Sequence, residues 1–411
     1  MAEVGGLIFR EFLCRFDSSS VGVIECVSLR PMDFFDRVWP FTEAGEGVFT
    51  QKAAADRNRL RILGLIARRK CVSQRRLAAA TGLQPSTVSN IVRDLKGLGI
   101  VQEGEPIEAE RVGPKEMELE VAPGVAWSAG LHLTRAGHRL ILVNAMGHVL
   151  AQEGIPPVDS MQELLEIVPA RIDNLGCRLR LDRARFAGLG VSVPGSVNSE
   201  EGVVLVSRSL HLASFPLRNE LQVALNAPVW VERDVASGAY AEHHAGVARD
   251  HDSFIFYLIR SVPGCADTFG VAVVIGEKIF RGCNSAAGEI DRNFLANCRF
   301  EEGVSGRGSD KLMDAFYQSC AASIASIVNL LDIGCLVLCC DDAGLTQKRF
   351  GMLRDKVVDG LVEVPDRRFE ILRSGMGEDG VALGGALLAL HRHFANQFGR
   401  RRSEGDLRRS A

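Results

Sequence analysis

An α/β chain headed by a winged helix-turn-helix is what the sequence predicts, and three observations predict it. Apolar residues recur at helical spacing between Arg57 and Lys96, with cap and turn residues at the breaks. A β-prone hairpin with a Gly-Pro tip follows directly. From Trp127 onward, strand-like runs alternate with helical ones, the pattern of an α/β domain.

The head divides into three helices. Leu60, Leu63 and Ile66 mark the first. Ser73 offers an N-cap oxygen to the second, which carries Arg75, Leu77, Ala78 and Ala80 and ends at Thr81-Gly82. The third starts at Gln84-Pro85, where proline's missing N–H costs nothing, and turns Val88, Ile91, Val92 and Leu95 inward. Its outer face is then Ser86, Thr87, Ser89, Asn90 and Arg93. These are short polar side chains able to reach a base edge, with one arginine able to fork onto guanine or pin a phosphate.

Between Asp56 and Gly99 stand Arg57, Arg59, Arg61, Arg68, Arg69, Lys70, Arg75, Arg76, Arg93 and Lys96, against Asp56 and Asp94 alone. The whole chain carries a formal charge of −3, so this positive charge is local, as a phosphate-binding module in an acidic protein requires. A solvated helical hairpin would not explain the order helix, glycine turn, proline-started helix and hairpin. The basic tip of that hairpin, Arg111 to Lys115, is placed to lie along a minor groove. Duplex DNA is the first expected partner, and Arg75, Ser86, Thr87, Ser89, Asn90, Arg93, Arg111 and Lys115 are the candidate contacts.

At 411 residues, with 46% hydrophobic content and no run of membrane-span length, the chain suits a soluble protein of two or three domains. Its 11 cysteines are odd in number and scattered in apolar runs, which fits reduced thiols in a cytoplasmic protein. The expected divisions are 1–52, an extension without sustained periodicity (a poorly ordered arm, or residues upstream of a start at Met32); 53–122, the winged head; 123–398, the α/β body; and 399–411, a basic polar tail. In the body, strands are expected at 129–134, 139–144 and 147–150, a helix around 164–175, and a buried strand from Phe186 to the Pro194-Gly195 turn. A further strand ends in Glu232-Arg233-Asp234, at the carboxyl end where α/β sites form. His243-His244 read as surface residues, and Gly384-Gly385 as a close helix contact.

Three segments carry a family resemblance: GLGVSVPGSVNSEEGVV at 188–204, IFRGCNSAAGEI at 279–290 and Ile327-Val-Asn-Leu-Leu-Asp332. Together with the head they resemble the ROK family of sugar kinases and sugar-responsive repressors. The resemblance implies an actin-like (sugar-kinase-like) body of two α/β lobes around a cleft, an oligomeric repressor, and operator release in answer to a sugar.

Departures from that pattern decide between its two branches. Kinases of the family hold ATP in an Asp-x-Gly-x-Thr hairpin, but here the stretch reads His132-Leu133-Thr134-Arg135-Ala136 without the aspartate. The expected Gly-x-Gly-x-Gly turn is Pro263 to Gly270 with Asp267 inside it, and the adenosine glycines are Cys339-Cys340-Asp341-Asp342. A carboxylate and bulky side chains oppose triphosphate binding. Asp234 survives where the family has its sugar-hydroxyl base, yet a base without a phosphoryl donor transfers nothing. The zinc loop keeps Cys298 but has Arg292 for its histidine and Phe300 for a cysteine, too few ligands for structural zinc. No metal and no cofactor are expected.

In the family's sugar pocket, Asp234 and Glu289 remain, while Arg233 and Arg292 replace an asparagine and a histidine. These four are the candidate ligand contacts. Either the arginines neutralise the carboxylates as a structural cluster, or they select an anionic sugar derivative. The expected protein is a DNA-binding transcriptional regulator, a repressor of carbohydrate-related genes with a non-catalytic sensing body, acting as a homodimer or homotetramer away from membranes. The alternatives are a sugar kinase with an attached DNA-binding domain, and a regulator whose body only oligomerises or binds a protein partner.

Overall fold

The computed structural model describes residues 51–67, 73–107, 116–259, 269–289, 307–340 and 345–407. The head forms as its local signals dictate. Helix α1 (Gln51–Ala67) buries Ile62, Leu63 and Ile66. Helix α2 (Gln74–Thr81) begins where the Ser73 hydroxyl accepts the Arg76 N–H at 3.3 Å, and it stops at Gly82, whose φ of 70° is a left-handed conformation that glycine adopts freely. Helix α3 (Pro85–Gly97) has its proline in the first turn and buries Val88, Ile91, Val92 and Leu95, the four residues its periodicity selected. Strands β1 (Val101–Pro106) and β2 (Met117–Val121) then pair antiparallel as the wing, with Val101 opposite Val121. The tip, with Arg111 and Lys115, lies outside the described residues.

The body holds two five-stranded sheets. The first contains β3 (Trp127–Thr134), β4 (Gly137–Asn144), β5 (Val149–Ile155), β6 (Phe186–Val193) and β10 (Val229–Arg233), in the order β10-β6-β3-β4-β5. The second contains β11 (Phe254–Ile259), β12 (Phe269–Ile275), β13 (Lys278–Phe280), β14 (Cys335–Cys340) and β15 (Glu370–Arg373), in the order β13-β12-β11-β14-β15. Both follow one plan: an antiparallel meander of three strands, then two strands added in parallel on the far side of the first. A small sheet of β7 (Ser196–Asn198), β8 (Val203–Ser207) and β9 (Leu212–Phe215) is inserted after β6.

Helices α4 (Met161–Arg178) and α5 (Leu217–Leu225) cover the first sheet through Leu164, Val168, Ile172, Leu217 and Leu221. Helices α7 (Arg307–Leu331) and α8 (Gln347–Asp359) pack on the second through Phe316, Tyr317, Ile324 and Leu353. Helix α6 (Asp234–Ala245) follows β10 without a break, so Asp234 opens a helix rather than closing a strand.

The last helix, α9 (Gly377–Leu407), lies against β3, β4, β6 and α6. Its approach needs glycine: a Cβ on Gly384 would stand 1.8 Å from the Ser237 carbonyl oxygen, and one on Gly190 of β6 would stand 1.9 Å from that of Gly385. The helix runs past residue 399 to Leu407, through arginine, glutamate and leucine, which are good helix formers. Further along, Leu390 and Phe394 join the apolar cluster of the head, together with Ile62, Val92 and Val121.

One expectation fails here. His243 is 2% exposed and stacks beside Phe254, and His244 is half-buried against Tyr240 and His391. Their helix, α6, is enclosed by α9 on one side and the second sheet on the other, so it has no broad solvent face to offer. Among the described residues, no helix is long and apolar enough to cross a membrane.

Candidate nucleic-acid interface and cleft

The outer side of α3 takes no part in the head's core. Ser86, Ser89, Asn90 and Arg93 are exposed and Thr87 is partly so, while Arg75 and Arg76 are exposed on the first turn of α2. Arg93 donates to Asn90 Oδ1 at 2.8 Å, which holds the guanidinium along the helix beside the amide. Not all of the basic charge stays outward. Arg59 pairs with Asp94 at 2.9 Å, Lys96 pairs with Glu103 on the wing, and Arg61 donates to the terminal carbonyls of α2 at Ala80 and Thr81. These three hold the head's own elements together, with Arg61 also placed at the negative end of a helix dipole.

Beneath α1 lies a cavity of about 560 Å³, walled by Leu60, Leu63 and Leu65 of the head and by His244, Asp252 and His391 of the body. Tyr240 Oη and His391 Nδ1 are 2.6 Å apart on that wall.

The cleft residues gather around the carboxyl end of β10. Two ion pairs cross there between β10 and the loop after β13. Arg281 of the loop reaches Glu232 of β10, and Arg233 of β10 reaches Glu289 of the loop at 2.8 Å, donating as well to the Ala287 carbonyl. Glu232 is 3% exposed. Burial alone would raise its carboxyl pKa, but the Arg281 charge and hydrogen bonds from Arg281, the Arg233 N–H and Ser199 Oγ outweigh burial and hold the group below its ordinary value. The loop is seated tightly: a Cβ on Gly288, whose φ is 83°, would stand 2.1 Å from the Val271 carbonyl oxygen. Asp234 is buried at the first turn of α6, and its Oδ1 accepts the Val235 N–H at 2.7 Å.

Of the four expected ligand residues, Arg233 and Glu289 are thus in contact and Asp234 adjoins Arg233 in the chain, while Arg292 lies outside the described residues. Arg233 Nε is buried with no hydrogen-bond partner among the described residues. Glu232 and Arg281 are not among the expected ligand residues, although Glu232 directly precedes Arg233-Asp234 and Arg281 stands within the 279–290 segment. A glutamate directly before the Arg-Asp pair was the available signal, but its partner is 49 residues away.

At the hairpin where kinases of the family place an aspartate, His132 is 1% exposed, and the Thr134 hydroxyl donates to the Gly137 carbonyl at 2.5 Å, closing a tight turn that presents Arg135 and Ala136. Cys339 is buried, and Asp341, Asp342 and most of the 263–270 turn lie outside the described residues, as does Cys298.

Comparison with known proteins agrees with this architecture. A MarR family model matches residues 56–111, and a ROK family model matches residues 129–302. A xylose repressor from Caldicellulosiruptor bescii is 25% identical over 265 residues, 63% of each chain. The DNA-binding transcriptional dual regulator NagC of Escherichia coli is 25% identical over 224 residues, 53% of this chain and 52% of that one. The match therefore spans less than two thirds of these relatives' own length. Among solved structures, a ROK family transcriptional regulator homologous to the E. coli MLC protein superposes with a TM-score of 0.66 at 18% identity, over 84% of this chain and 98% of that one. A ROK family glucokinase from Streptomyces griseus, in complex with glucose and AMPPNP, gives 0.54 at 15% identity, over 64% of this chain and 99% of that one. The chain thus carries a MarR-type winged helix-turn-helix ahead of a ROK family domain of actin-like fold.

Proposed function

We propose that this protein is a DNA-binding repressor of carbohydrate-related genes, acting as a homodimer or homotetramer in the cytoplasm, whose body senses a sugar derivative and catalyses nothing. The observation that carries the DNA-binding part is the outer face of α3, where Ser86, Ser89, Asn90 and Arg93 stand exposed on a helix whose opposite face fills the head's core. Such a helix enters a major groove, and two heads in one oligomer read half-sites spaced by whole helical turns. Selection of bound duplexes from a random pool, with the full chain, yields a symmetric site bound in a salt-dependent manner. Arg93→Ala relaxes base preference at one position per half-site and costs about 1–3 kcal/mol there. Equal loss on selected and random duplexes makes Arg93 a phosphate contact; absence of salt-dependent binding overturns the reading.

The crossed ion pairs support an anionic effector. Arg233 and Glu289 neutralise each other, and Glu289 is half exposed, so a ligand anion can displace it from the guanidinium while Asp234 accepts sugar hydroxyls. Arg292 is proposed as a second anion contact. A neutral sugar in the same place would strand a buried donor, at about 1–3 kcal/mol. Calorimetry against neutral sugars, sugar phosphates and sugar acids is expected to favour the charged members by about tenfold, an advantage that Arg292→Ala reduces. Equal affinity for neutral hexoses refutes the arginine argument. Addition of ATP is expected to give no sugar phosphate; its formation, abolished by Asp234→Asn, would make the protein a kinase instead.

A further inference from the structure

At the end of the second sheet where β11, β14 and β15 begin, three side chains from separate segments meet. Cys335 opens β14, Glu370 opens β15, and the two are register partners in that parallel pair. His251 stands in the connection between α6 and β11, at the same end of the sheet. One candidate donor atom from each (imidazole nitrogen, Sγ, carboxylate oxygen) lies within 4.8 Å of the other two, and His251 Nε2 is 3.4 Å from Glu370 Oε1.

Ligands bonded at about 2.0–2.3 Å around a tetrahedral zinc ion stand about 3.3–3.6 Å from one another. The His-Glu separation already has that value. Drawing in the sulfur needs only about an ångström of rotation in His251 and Glu370, which are partly and largely exposed and therefore able to turn. Cys335 is buried and fixed in the sheet, so it supplies the anchor. A thiol beside an imidazole and a carboxylate is a borderline-soft donor set, suited to zinc-class ions and unsuited to magnesium or calcium.

We propose that His251, Cys335 and Glu370 form a binding site for a zinc-class divalent ion, with the fourth position open to solvent on the Glu370 side. Binding forms a metal–sulfur bond, and the Cys335 proton leaves to solvent. These three residues are distinct from Cys298 and Arg292, where the sequence keeps too few ligands for structural zinc. The site also has a mechanical effect. The ion ties the α6–β11 connection to two strands of the sheet, and Asp252, the residue after His251, walls the cavity beneath α1.

The test uses the full chain, stripped with chelator and titrated with cobalt(II). One equivalent is expected to produce a thiolate-to-cobalt charge-transfer band with the visible spectrum of a four-coordinate ion, and to raise the melting temperature; zinc then displaces the cobalt. Cys335→Ser removes the band. His251→Gln at its partly exposed site and Glu370→Gln at its exposed one weaken binding at least about tenfold, since loss of a ligand costs no less than loss of an outer-shell partner. No band in the wild-type chain, a band that survives Cys335→Ser, or unchanged affinity in both exposed variants overturns the assignment and leaves a His-Glu ion pair beside a structural thiol.

Discussion

Arg281→Ala lowers the unfolding free energy by about 3–5 kcal/mol at neutral pH, the usual result of removing one partner from a buried ion pair. The loss comes from Glu232 rather than from the arginine itself. That carboxylate is 3% exposed and keeps only its hydrogen bonds from Ser199 and the Arg233 N–H once the guanidinium is gone. The pH dependence follows from the direction of its pKa. In the intact protein the folded-state pKa lies below the ordinary carboxylate value, so its contribution is complete above that value and is lost as pH falls through the depressed pKa.

In the variant, burial still raises the folded-state pKa while the Arg281 charge and hydrogen bond that lowered it are gone, so that pKa moves up and less stability is lost as pH falls. The gap between the two proteins therefore narrows in acid. Urea unfolding at neutral pH and at about pH 5 measures both effects. Glu232→Gln combined with Arg281→Met recovers much of the loss, since a pair replaced as a unit leaves no stranded charge. A gap that is constant with pH would mean that Arg281 acts by packing alone.

Gly384→Ala costs more than about 3 kcal/mol, at or beyond the upper end of overpacking effects, and reduces the yield of soluble protein. The added methyl meets the Ser237 carbonyl at 1.8 Å, and a backbone atom cannot rotate away as a side-chain tip does. Gly351→Ala in α8 is the matched control. Nothing lies within 4 Å of its Cβ position, and alanine there gains helix propensity of about 1 kcal/mol. Thermal unfolding of the two variants is expected to shift in opposite directions. Equal shifts would show that α9 can slide to accept a methyl.

What the sequence disclosed depended on how far apart the determining residues lie. Ser73, Gly82 and Pro85 act within one turn of themselves, and the apolar face of α3 repeats within thirteen residues, so the head was legible in detail. Gly384-Gly385 was legible as a close contact because two glycines in a helix forfeit propensity that only packing restores. Its partners, Gly190 and Ser237, were not. Nor was the burial of His243, which follows from α6 lying between α9 and a sheet assembled from five later strands. Around β10, the residue types are readable and their pairing is not: Arg233 and Glu289 are among the expected residues, but Glu232 and Arg281 meet only because the loop after β13, from the second sheet, packs against the carboxyl end of β10 in the first. His251, Cys335 and Glu370 are more distant still, since they meet only because β11, β14 and β15 begin at the same edge. The repeated plan of the two sheets leaves no trace in the residues, because strand order is decided by backbone pairing and is indifferent to which apolar side chains fill each core.

The glycine seam also fixes where α9 is held. From Gly384 to Phe394 the helix extends about 15 Å, from the point where it touches β6 and α6 to the point where it enters the core of the winged head. A contact made of backbone against backbone has no side-chain rotamers in which to dissipate a displacement. Gly384 and Gly385 hold one point of α9 against β6 and α6 while Phe394, ten residues on, is held in the core of the head, so a single helix joins the two.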